Sequence, residues 1–120
     1  MKPIKIALLC LVTGSSYSFA QCTIPQVPSV PEGAKATMDD MLASKTAVAA
    51  YQEANAGYMD CVGQQMESIK ATLAEGSKED MAAAKANYNK LSEVFNTAVT
   101  TEETLASKFN TEIRAFKAAH

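Results

Sequence analysis

From Met38 to Leu73 apolar side chains return every three or four residues with no proline between them, as on one side of a long helix. That side carries two neighbouring stripes. Met41, Val48, Tyr51, Tyr58, Val62 and Ile69 form a stripe of larger residues. Ala43, Ala47, Ala50, Ala54, Gly57 and Cys61 form a stripe of small ones. Thr37 is placed to cap the helix start, with Asp40 as its capping-box partner and Asp39 complementing the positive helix end. Gly57 and Gly63 are internal weak points, each costing about 1 kcal/mol against alanine. Ala74 to Ser77 then punctuates the chain: Gly76 can end the first helix, and Ser77 with Asp80 can start the next.

A second helix is predicted over residues 78–118. Its seam is Met81, Ala84, Tyr88, Leu91, Phe95, Ala98, Leu105, Phe109 and Phe116, with Ile113 beside it. The β-branched run Val99-Thr100-Thr101 before Glu102 is the weak place, because such residues disfavour helix and either threonine could cap a new one. A short connection makes the two helices antiparallel. The predicted fold is therefore all-α: a long, coiled-coil-like antiparallel helical hairpin over residues 38–120. A three-helix bundle, broken near Thr100, is the alternative. Pairing the helices about Glu75 brings Val62 to Tyr88, Asn55 to Phe95 and Val48 to Glu102. Asn55 then reads as a register-setting core residue, and Lys45 as the charge that neutralises Glu102. The end of the second helix overhangs the first, so Phe109, Ile113 and Phe116 are the candidate partner contact. Their cover is either the turn near Gly33 to Ala36 or another chain.

Residues 21–37 have a different rhythm. Pro25, Pro28 and Pro31 recur with the threefold period of a polyproline II helix. Extended in that form, Cys22 to Thr37 spans about 46 Å. The helix start lies about 36 Å from Cys61. A strap can thus fold back along the first helix and reach Cys61, and the small stripe that ends there is the face expected to receive it. Pro-x-x-Pro spacing also suits SH3-type ligands, but a tethered, exported segment is a poor one.

Residues 1–20 read as a signal peptide. Lys2 and Lys5 precede a short apolar run, Ile6 to Val12, and Ser18-Phe19-Ala20 is a cleavage signature. The apolar run is far short of the ~20 residues that span a bilayer, so no membrane span is expected in the mature chain. Cleavage removes Cys10 and leaves Cys22 and Cys61, an even pair that an exported protein would join as a disulfide. It also removes two lysines and no acids, taking the formal charge from -2 to -4. A mildly acidic chain lacks the electrostatic footprint of a nucleic-acid binder.

Constellations for chemistry are missing. The single histidine is the terminal His120, and the five glycines form no phosphate loop. Asp39/Asp40, Glu79/Asp80 and Glu102/Glu103 read as helix-start or solvent-facing carboxylates. Met38/Met41 and Met59/Met66 have the spacing of a soft-metal set, which is also the spacing of core packing. The sequence therefore assigns no catalytic, cofactor or metal residue.

Pro28-x-x-Pro31-x-Gly33, Ala36-Thr37, Met41, Tyr51, the Tyr-x-x-Cys motif Tyr58-Met59-Asp60-Cys61 and the closing Phe109 to Lys117 resemble a group of small exported helical proteins of Gram-negative bacteria. The resemblance implies periplasmic export and an all-helical fold, and carries over no site residue. The expected function is a non-enzymatic structural or interaction module of the cell envelope, meeting another envelope protein or a second copy of itself. A holdase-like periplasmic chaperone is the alternative.

Overall fold

A computed structural model describes residues 22–120; the expected signal peptide, residues 1–20, lies outside the described residues. Two helices, α1 (Met38–Glu75) and α2 (Lys78–Ala119), pack antiparallel as a hairpin. Before them, residues 22–32 run extended, without helix or strand, into a turn at residues 33–35.

The start of α1 is capped as its sequence predicts. Asp40 N–H donates to the Thr37 hydroxyl at 3.1 Å, and Thr37 N–H donates to the Asp40 carboxylate at 2.9 Å. The Thr37 amide, and then the Thr37 hydroxyl, hold the Asp40 carboxyl below its ordinary range. Because folding lowers this pKa, the cap's contribution is present above about pH 3.9 and is lost as pH falls through the folded value. In an NMR titration, the Thr37 amide should report a transition below the usual aspartate range. Asp40→Asn should abolish that transition; an unchanged titration would show that another group drives it.

Ala74 and Glu75 are good helix formers, so α1 continues two residues past the expected Leu73 and stops at Gly76. Gly76 is not left-handed: its φ is -85°, and its N–H closes the helix on the Thr72 carbonyl at 2.9 Å. The connection is therefore Gly76-Ser77 alone, and the register moves by about one turn from a pairing about Glu75. Asn55 meets Ala98 rather than Phe95, and Val48 packs on Leu105 rather than near Glu102.

α2 runs unbroken through Val99 to Glu103, so the alternative three-helix bundle does not form. Thr101 turns its hydroxyl back onto the Thr97 carbonyl at 2.8 Å, which satisfies it inside the helix. Lys45 does not neutralise Glu102. Among the described residues the ion pairs are Glu32–Lys35 and Glu67–Lys70, both between exposed residues three apart in the chain. Glu102 instead lies half-buried beside Tyr51.

The core is a thin line of side chains in two clusters. Towards the open end, Val48, Tyr51 and Leu105 gather the half-buried Val30 and Phe109. Further along, Tyr58, Val62 and Ala98 gather Leu91, Val94, Phe95, Met59, Met66 and, from the strap, Cys22. Asn55, only 1% exposed, sits between the clusters in sequence and donates its side-chain amide to the Ala98 carbonyl at 3.1 Å. A register slip would orphan that buried donor, which ties Asn55 to the observed pairing.

Candidate functional site

Two packed helices leave a groove along each side of their seam. One of these grooves is covered by the strap. Its floor comes from Tyr51, Asn55 and Tyr58 of α1 and from Val94, Ala98 and Thr101 of α2; Ile24, Pro25 and Val27 stand over it. The space between is an open trough of about 400 Å³.

The strap is fastened at both ends. Cys22 and Cys61 are joined as a disulfide with their Cα atoms 5.8 Å apart, as their pairing in sequence predicts. At the other end Gly33 N–H donates to the Glu112 carboxylate at 2.6 Å. Gly33 has to be glycine here. A Cβ would stand 2.8 Å from the Glu112 carbonyl carbon and 2.9 Å from the Phe116 nitrogen, both of them backbone atoms that cannot step aside.

The small stripe does not receive the strap along its length. Ala50, Ala54 and Gly57 are exposed, and a Cβ on Gly57 would meet nothing within 4 Å. Only the two ends of the stripe are used: Ala43 and Ala47 border a crevice beneath Ser29 to Pro31, and Cys61 holds the bond. The reason is the area available. A strap lying between the helices buries Val30 against both of them and covers two tyrosines, whereas a flat alanine face offers contact from one side only. Ser44, on the same crevice, is buried with no hydrogen-bond partner for its hydroxyl among the described residues.

The trough carries an acid on its wall, Glu93, with Glu102 close to Tyr51. Burial, and then the nearby Glu102 charge, raise the Tyr51 phenol above its ordinary range, so Tyr51 stays neutral at physiological pH. Tyr51 and Tyr58 are both buried, at 5% and 7% exposure. Among the described residues, no three of His, Cys, Asp or Glu come together to hold a metal ion. Nor is any described helix long and apolar enough to cross a membrane.

The candidate contact residues at the end of α2 are all half-buried. Phe109 packs on the open-end cluster, and the Phe116 ring lies 4.4 Å from the His120 ring, centroid to centroid. The strap's turn rests on this same stretch, through Glu112 and Phe116. The larger apolar side chains left in solvent lie elsewhere. Ile24 is 74% exposed and Val27 46%, both on the strap; Met38 and Leu42 stand at the start of α1, and Met81 at the start of α2. The methionines thus divide: Met41 is core, Met59 and Met66 flank it, and Met38 is exposed rather than paired with Met41. The proline period places Val27 and Val30 on a common edge of an ideal strap. It carries no signal that one would be buried and the other open.

Compared with family models, with curated proteins and with solved structures, the chain matches none.

Proposed function

We propose that this protein is an exported, periplasmic contact module without enzymatic activity, and that it meets its partner through the strapped side of the hairpin. The observation that supports this reading is the exposure of Ile24 and Val27 on a covalently tied strap. Apolar side chains held out on a restrained backbone cost little further conformational entropy when they are covered by a partner. Export is supported by the leader-like residues 1–20 and by the cysteine pair.

A photo-crosslinking residue placed at Ile24 or Val27 in the native envelope should join the protein to a specific second chain, identified by mass spectrometry. Crosslinks confined to the protein's own helices would remove the contact role. A holdase-like chaperone is the second reading, favoured by the exposed Met38, Leu42 and Met81, whose flexible side chains suit varied clients. Near-stoichiometric suppression of aggregation of unrelated unfolded proteins would establish it, and no suppression would remove it.

A further inference from the structure

As a polyproline II helix the strap has little slack to spare. From Cys22 to Gly33 an extended polyproline-like chain reaches about 34 Å. Gly33 is seated against Glu112 and Phe116, beside the open end of the hairpin, and from Met38 to Cys61 α1 rises about 35 Å. A flexible chain of the same length has a root-mean-square span of only about 18 Å. Its prolines stiffen the strap and reduce this recoil without removing it.

Between Cys22 and the Gly33 turn the strap is held by side-chain packing alone. Among the described residues, none from Thr23 to Pro31 hydrogen-bonds to either helix. Cys22 packs beside the Tyr58, Val62 and Ala98 cluster, Pro25 and Pro28 are half-buried, Ile24 lies largely in solvent, and Val30 rests on the open-end cluster close to the Gly33 end. The helices, by contrast, hold each other without the strap, through Val62, Ala98, Leu91 and Phe95 and through the Asn55–Ala98 hydrogen bond. Both sulfur-bearing residues are half-buried rather than sealed.

We infer that the Cys22–Cys61 disulfide is a redox latch: oxidised, it keeps the strap drawn over the groove; reduced, it lets residues 22–29 withdraw and opens Tyr51 and Tyr58 while the hairpin stays folded. The reductant is a dithiol. One of its thiolates attacks a cystine sulfur and expels the other as a thiolate, giving a mixed disulfide; its second thiolate then displaces the protein. Two electrons and two protons pass from the dithiol to the protein, leaving two cysteine thiols and an oxidised dithiol. The latch does not depend on the contact role proposed above, because its readout is the exposure of the groove and not the capture of a partner.

Hydroxyl-radical footprinting with mass spectrometry tests it. In the double variant Cys22→Ser/Cys61→Ser, modification of Tyr51 and Tyr58 should rise at least threefold over the oxidised protein. Ile69, at the closed end, should be unchanged, and helical circular dichroism should be retained. Wild-type protein reduced with dithiothreitol and desalted under argon should show the same pattern and regain protection on reoxidation. Unchanged tyrosine protection would mean that the strap seats itself without the bond, and the latch is wrong. Loss of helicity would overturn it too, since the bond would then hold the hairpin and not the strap. Exposure that persists after reoxidation would rule out a reversible device.

Discussion

Asn55→Asp should destabilise the protein by about 3–5 kcal/mol at pH 7 and by far less at pH 4. The substitution keeps size and shape but replaces the amide donor to the Ala98 carbonyl by a carboxylate with 1% exposure. An ionised carboxylate there has lost its water and faces a carbonyl oxygen, so its folded pKa rises well above the unfolded value of about 3.9. For an acid shifted upward, the folded state is undamaged below the unfolded pKa. It loses about 1.4 kcal/mol per pH unit above that value, until the folded pKa is reached. Protonated, the group regains an O–H that can donate to Ala98. Urea unfolding of variant and wild type at the two pH values measures the difference. An equal deficit at both would mean that the position is not dry enough to resist a charge.

Leu105→Ala should cost about 2–4 kcal/mol. Leu105 is 4% exposed and is the α2 member of the cluster formed with Val48 and Tyr51. What distinguishes it from other core truncations is that Val30 of the strap rests on the same cluster. The cavity therefore opens under the strap as well as between the helices. The amide of Gly33, bonded to Glu112, should exchange faster than global destabilisation alone explains. Ile69→Ala, at the closed end and away from the strap, should cost a comparable amount without that local effect. Equal Gly33 exchange in the two variants would separate the strap from the cluster.

Much of this architecture is legible in the residues. The period of the apolar positions marks both helices and their facing stripes, Thr37 and Ser77 mark the starts, and the length of the proline segment matches the reach to Cys61. Spacing says which side of a helix is apolar, but it does not name the neighbour. Gly57 and its alanines therefore read as a bed for the strap, although an extended chain gains more from a corner between two helices than from one flat side. The register depended on two residues: Ala74 and Glu75 could end a helix or prolong it, and prolonging it moved every pair by about a turn. The Thr100–Thr101 pair disfavours helix in isolation, but packing against α1 and a hydroxyl satisfied at Thr97 outweigh that small preference. Ile24 and Val27 could not have been singled out from the sequence, since the proline period does not say which edge of the strap meets the helices.

The bond at Cys61 also decides how the molecule would carry force. With Cys22 fixed to the middle of α1, tension applied between the two chain ends enters at Cys61 and leaves along α2. The strap and the first two-thirds of α1 then lie outside the load path for as long as the bond holds. Whatever is joined in front of Cys22 hangs from the waist of the hairpin, not from its tip.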